Sequence, residues 1–298
     1  MAEKTGKENM ADKKRKKPGL WYRFAVKLVR PFKKKMTCTY HAGPLPEEPV
    51  VFVANHAQIF GPLSAVLDMP RKVWPWVDAR IMEKKTAAEF AFIDFLQGDR
   101  RRCKWFFRML SHIVSFLLRP LLRDAGGIPV YRDRQIVRTF ARSCELLNEG
   151  ESLILFPEKE YYFSDYIFEI QDGFVDLARI WYRQSGKCLP FVPLYFAPGL
   201  NTVNFGEPVV YDPQADPRAE RRRVAGLLKT RIHEMASSLP PHKPIPFYEH
   251  ERMLQMQALH RADGTAAAAP DPAPEQAVPS REAAAPEGKP SDREEAGR

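Results

Sequence analysis

In the stretch VFVANHAQIFGPLSA, Val51 to Ala65, a mostly apolar run leads into Asn55-His56, and the chain then breaks at Gly61-Pro62. The run reads as a buried strand, and Pro62 suits the first turn of a helix. In parallel α/β sheets the loops beyond the carboxyl ends of the strands form the ligand crevice. A histidine there can take a proton from an incoming hydroxyl. Such a base works best with an acidic partner that fixes its tautomer, and Asp78, Glu158, Glu160 and Asp165 are the carboxylates chemistry offers. Spacing leaves open which of them stands near His56, and whether the histidine is structural instead.

Three later stretches carry the same strand-to-loop character. GGIPVYR, Gly126 to Arg132, puts a strand between paired glycines and an arginine. LILFPE, Leu153 to Glu158, drives an apolar run into Pro-Glu, and LPFVPLYF, Leu189 to Phe196, is apolar on both alternating faces with Pro193 inside it. Arg132 can hold an anion or be a surface charge, and Glu158 can serve a site or cap a loop.

In this order, NH, GGIPVYR, LFPE and FVPL resemble the four motif blocks of the PlsC-like glycerolipid (lysophosphatidate-type) acyltransferases, over roughly residues 50 to 200. The resemblance implies that His56 is the general base on an acceptor hydroxyl and that Asn55 belongs to the same block. It implies that Asn55, Arg132, Glu158 and Lys159 bind substrate, with an acceptor phosphate on Arg132, and that a strand lines the site at Val192-Pro193. The family's aspartate, which orients the histidine, is replaced by Gly61. Its third-block arginine is missing, and Lys159 offers a point charge without bidentate geometry.

The resemblance therefore implies an O-acyltransferase using acyl-CoA or acyl-ACP as co-substrate, with no bound cofactor and no metal. Loss of the orienting carboxylate costs about 10⁴ in rate in a related triad. The competing expectation is an acyltransferase-fold lipid-binding or scaffold protein without turnover. A hydrolase pairing His56 with Ser64 lacks a G-x-S-x-G stretch.

The elements that must position these residues alternate along the chain. Strands are expected over Val50–Ala54, Ile128–Tyr131, Ser152–Phe156, Leu189–Tyr195 and Val203–Tyr211. Helices are expected over Leu20–Phe32, Pro62–Leu67, Ala87–Leu96, Lys104–Leu122, Gln135–Asn148, Gly173–Gln184 and Glu220–Ser237. The pattern predicts an α/β domain with a mainly parallel central sheet flanked by helices. The aromatic stretch YYFSDYIF, Tyr161 to Phe168, reads as a loop that lines a pocket or joins the core.

The net charge of +9 sits at one end: residues 1 to 35 hold thirteen Lys/Arg and three Asp/Glu, leaving 33 against 34 elsewhere. Residues 1–17 read as a disordered basic tail, 18–250 as the acyltransferase-like domain, and 251–298 as an exposed helix followed by an Ala/Pro/Glu tail. The four cysteines form no CxxC pair or zinc spacing, as expected for reduced thiols.

No run reaches about 18 uncharged apolar residues, so neither a spanning helix nor a secretory signal is expected. In GLWYRFAVKLVRPFKKK, Trp21, Phe24, Leu28 and Phe32 share one helical face and Arg23, Lys27, Arg30 and Lys34 another. This N-terminal amphipathic helix, residues 20–35, is expected to dock on anionic lipid at the cytoplasmic face of a membrane. No nucleic-acid recognition module accompanies the charge. Lys104–Leu122 is apolar over a wide arc, and periodicity does not say whether protein or lipid covers it.

Overall fold

The computed structural model describes residues 19–96, 102–164 and 166–246. The expected tail 1–17, Asp165, the Glu160 side chain, and the helix and tail expected over 251–298 lie outside the described part.

Helix α1 (Leu20–Val29) and strand β1 (Thr37–Tyr40) precede β2 (Val51–Ala54) and α2 (Phe60–Leu67). Strand β3 (Val73–Asp78) leads into short helices α3 (Ala79–Met82) and α4 (Ala87–Phe90), a π-helical turn at Ala91–Phe95, and the long α5 (Lys104–Asp124). Then come β4 (Ile128–Val130), α6 (Ile136–Asn148), β5 (Ser152–Leu155), and the hairpin β6 (Glu158–Ser164) with β7 (Ile167–Ile170). Helix α7 (Asp176–Ser185), β8 (Pro190–Ala197), β9 (Thr202–Phe205), β10 (Val209–Val210) and α8 (Pro217–Ser238) complete the described chain.

The central sheet is mixed and mostly parallel, in the order β1-β9-β8-β2-β5-β3-β4, with β10 also on β8. Strands β8, β2, β5, β3 and β4 run parallel side by side, whereas β9 and β10 oppose β8. Side chains alternate across a strand, so each strand feeds two cores. Val51, Val53, Leu153, Leu155 and Phe191 pack with residues of α6, α7 and α8 on one face. Phe52, Ala54, Ile154, Val192 and Phe196 pack with Ala65 of α2 on the other.

Several expectations change in detail. The single strand expected over Val203–Tyr211 is two, because Pro193 of β8 has no N–H for a partner and the neighbouring strand breaks at 206–208. Strand β3 was hidden by Pro75 in VWPWVD, and the aromatic loop expected at Tyr161–Phe168 belongs to the hairpin. The paired glycines before β4 end α5: Gly126 has φ +84° and donates to Arg123 O, while Gly127 donates to Leu122 O, a left-handed helix stop. A Cβ on Gly126 would also stand 2.5 Å from the Trp74 ring.

Helix α1 ends at Val29, short of the expected boundary, where Pro31 has no N–H to continue it, and its carboxyl end is pinned to α2. Arg30 Nη1 donates to buried Asp68 at 2.7 Å and to Leu67 O at 3.1 Å, and Lys33 also pairs with Asp68. Tyr22 donates to Val66 O at 3.1 Å. Two cations of the 20–35 segment thus serve the fold, while Arg23, Lys27, Lys34 and Lys35 are exposed. Contrary to expectation, one helix among the described residues, α5, is long and apolar enough to cross a membrane by length and composition.

Candidate active site

Strands β2, β5, β3 and β4 are parallel, so their carboxyl ends meet one edge of the sheet, and each releases a candidate residue there. His56 follows β2, Phe156 to Glu158 follow β5, Asp78 closes β3, and Arg132 follows β4.

Asn55 fixes the point of departure. Its Nδ2 donates to Phe196 O at 3.1 Å, and its Oδ1 accepts from Phe196 N at 2.7 Å. Both ends of this buried amide are therefore spent tying β2 to β8, a positioning arrangement that leaves His56 at a defined exit.

Beyond it the backbone turns sharply. Ala57 (φ 44°) and Gln58 (φ 56°) are consecutive left-handed residues without glycine's freedom, a conformation costing about 1–2 kcal/mol each. The turn brings the Gln58 carbonyl oxygen against His56 Nδ1. A carbonyl only accepts, so Nδ1 carries the proton and Nε2 is the acceptor nitrogen. Ser64, farther along α2, is buried with no partner for its hydroxyl among the described residues.

The same turn explains Gly61. Its N–H donates to His56 O at 3.1 Å, and an added Cβ would stand 2.9 Å from Asn55 O and closer still to His56 O. A side chain at 61 does not fit this loop. The backbone carbonyl of Gln58 occupies the Nδ1 direction that a carboxylate was expected to fill.

Glu158 lies beneath the loop, buried, with Oε1 accepting the His56 backbone N–H at 2.8 Å. Burial pushes its carboxyl up to about 8, although that hydrogen bond opposes the shift. Burial likewise pulls the His56 imidazole down to about 4, against the Gln58 hydrogen bond, even though the residue keeps some exposed surface. Near pH 7 the site therefore holds a neutral imidazole beside a largely neutral carboxylic acid, two groups whose environments have moved their titrations in opposite directions. Phe156 packs on the His56 ring at 5.1 Å between centroids and on Phe196 at 6.3 Å. Tyr195, whose hydroxyl donates to His242 Nε2 at 2.9 Å, is raised by burial, with smaller contributions from Tyr166 and Glu158.

Arg132 is not in this group. Its side chain is 72% exposed and its Nη2 donates to Asp78 Oδ2 at 3.2 Å. Asp78 also takes both arms and the backbone N–H of Arg80. Burial alone raises the Asp78 carboxyl, but the Arg80 hydrogen bonds and charge, helped by Arg132, bring it below its ordinary value. Three strand spacings, about 14 Å, separate β4 from β2 along the sheet edge. Lys159 follows Glu158, the first residue of β6, and is half-buried.

The structure thus brings together His56, Asn55 and Glu158, adds Gln58, Phe156 and Phe196, and leaves Arg132 and Asp78 on the flank. Gln58 acts through its backbone, which no side-chain pattern announces. Phe156 stood in the quoted LILFPE block. Among the described residues no group of three or more His, Cys, Asp or Glu could hold a metal ion.

No family model matches the chain, and no curated relative matches it. Among solved structures it is similar to the 1-acyl-sn-glycerophosphate (LPA) acyltransferase PlsC from Thermotoga maritima, at 13% identity and a TM-score of 0.39 over 74% of this chain and 79% of that one. This is a distant likeness of fold.

Proposed function

We propose that the chain is an O-acyltransferase acting on a hydroxyl of a lysophospholipid or related lipid acceptor at a membrane surface. His56 Nε2 takes the hydroxyl proton as the oxygen attacks the thioester carbonyl of acyl-CoA or acyl-ACP. The tetrahedral adduct breaks its C–S bond, the ester forms, and the imidazolium returns the proton to the departing thiolate. Asn55 holds the strand end and Glu158 supports the loop that carries the base. Arg132, with Lys159 as the weaker contributor, takes the acceptor's anionic group, and residues 20–35 dock on anionic lipid at the cytoplasmic face.

The observation that carries this reading is the His56 ring, held at a strand's carboxyl end with Nδ1 on the Gln58 carbonyl. One observation favours a second reading. An imidazole titrating near 4 is a weak base, and a neutral carbonyl stabilises an imidazolium less than a carboxylate does. An acyltransferase fold used for lipid binding without turnover has the same geometry.

The two separate in an assay of the full chain with labelled acyl-CoA and acyl-ACP against lysophospholipids and other lipid alcohols. Transfer that disappears in His56→Ala supports the enzyme. Absence of any His56-dependent transfer across the panel, with lipid binding intact, rejects it.

A further inference from the structure

Helix α5 is inverted relative to an ordinary surface helix. Its buried residues are Ser111 and Ser115, whose hydroxyls bond back to Arg108 O at 2.7 Å and His112 O at 3.0 Å. Trp105, Phe106, Met109, Ile113, Phe116 and Leu117 fall within an arc of about 120° on the wheel, and all six are exposed, Trp105 and Phe116 each by 72%.

Helix α1 lies beside it and is exposed in the same way. Trp21 N donates to Asp124 Oδ2 at 3.0 Å, and Trp21 lines one cleft with Phe116 and Leu117. The exposed Trp21, Phe24 and Leu28 of α1 therefore continue the surface of α5. A contiguous apolar surface of this kind marks an interaction site.

We propose that α5 and α1 form one platform that enters a single leaflet of a lipid bilayer, with α5 lying in the plane of the interface and supplying most of the inserted surface. The charge around it is mainly cationic: Arg23 and Lys27 on α1 are exposed, as is Arg123 on the apolar side of α5 at its carboxyl end, with Asp124 the one acid lining the same cleft. That charge complements anionic headgroups, and Trp21 and Trp105 suit the headgroup boundary. A second copy is disfavoured as occupant, because a two-fold contact through this face would bring like-charged rims together.

Spanning is opposed by how α5 is held. Arg108 pairs with Glu89 at 3.3 Å, and Arg119 Nε donates to Met82 O at 3.3 Å. The chain then passes through Gly126-Gly127 into β4 of the central sheet. This deepens the peripheral-membrane reading, shifting the main contact from the charge of residues 20–35 to the apolar face of α5, and does not depend on chemistry at His56.

The test is flotation of the full chain with vesicles of phosphatidylcholine and phosphatidylglycerol, comparing wild type, Trp105→Asp/Phe116→Asp and His56→Ala. The double variant should bind about 100-fold more weakly or less, while His56→Ala binds as wild type. Wild-type binding should persist at about 1 M salt, where the Debye length is about 3 Å. Brominated acyl chains should quench tryptophan emission, and Trp105→Phe should lose much of that quenching while still binding, which excludes misfolding as the cause. Wild-type-like binding by the double variant, binding abolished by salt, or a gel-filtration dimer in place of vesicle binding would each overturn the proposal. Transfer to a soluble short-chain acceptor, if the chain has it, is expected to be unchanged in the double variant, so failure of the platform and failure of the acyltransferase reading remain distinct.

Discussion

His56 Nδ1 rests on the carbonyl oxygen of Gln58, two residues farther along the same loop. The contact makes the imidazole's orientation a property of the backbone, since it exists only while Ala57 and Gln58 both hold positive φ.

Substitutions at 58 should therefore divide by backbone preference rather than by side-chain chemistry. Gln58→Gly accepts the left-handed conformation and should retain transfer activity, with stability raised by up to about 1 kcal/mol. Gln58→Pro forces φ near −65°, turns the carbonyl away, and should reduce kcat, though by less than His56→Ala, which removes the base. Kinetics and thermal unfolding of the two variants check this, and equal activity in both would remove the carbonyl from the proposed mechanism.

Placing an aspartate at 61 should fail. Any Cβ at 61 meets the carbonyl oxygens of His56 and Asn55, so Gly61→Ala should destabilise by about 1–3 kcal/mol. Gly61→Asp should do no better and should lower transfer rather than rescue it. Denaturant melts and a transfer assay of both variants decide the point; a gain of activity in Gly61→Asp would mean that the loop rewinds to a different arrangement.

Much of the fold was legible because burial writes itself into composition. Strands β5 and β8 are apolar on both faces, which only a covered sheet allows, and His56 stands at a strand's end as its apolar-to-polar break suggested. β3 was not legible, since Pro75 interrupts a stretch whose valines and tryptophans otherwise suit a strand. The Gln58 carbonyl was invisible for a deeper reason: positive φ at Ala and Gln has no compositional mark, whereas glycine or asparagine would have given one. Arg132 illustrates the converse, a residue singled out by its place at a strand's end whose guanidinium goes to Asp78. In α5 the periodicity defined the apolar arc but not which side faces the protein.

The opposed titrations of His56 and Glu158 give stability a particular pH dependence. The His56 value is lowered, so as pH falls from the unfolded value near 6.5 toward about 4 the unfolded chain binds more protons and stability drops. The Glu158 value is raised, so between 4.5 and about 8 the folded state binds more protons and stability drops as pH rises. The two slopes oppose each other from about 4.5 to 6.5, and Glu158 alone governs the range above. Glu158→Gln should therefore flatten the decline between pH 6.5 and 8 and be more stable than wild type at pH 8, by roughly 2–4 kcal/mol at most. Urea melts at pH 5.5, 6.5 and 8 measure it. Parallel curves for wild type and variant would show that the carboxyl ionises normally.

Asn55 should behave as a clamp whose loss is felt first in stability. Its amide serves both the N–H and the C=O of Phe196 in a buried position, so Asn55→Leu leaves two backbone groups without partners, at about 1–3 kcal/mol each. Asn55→Asp is the sharper variant: it keeps the volume and the acceptor for Phe196 N, but sets a second acceptor against Phe196 O in place of a donor. Both should lower the unfolding midpoint, and Asn55→Asp should recover part of the loss at acid pH, where the protonated carboxyl can donate. If Asn55 instead contacts the acceptor, these variants would leave the midpoint unchanged and raise KM alone, a pattern that thermal melts and steady-state kinetics on the same preparations distinguish.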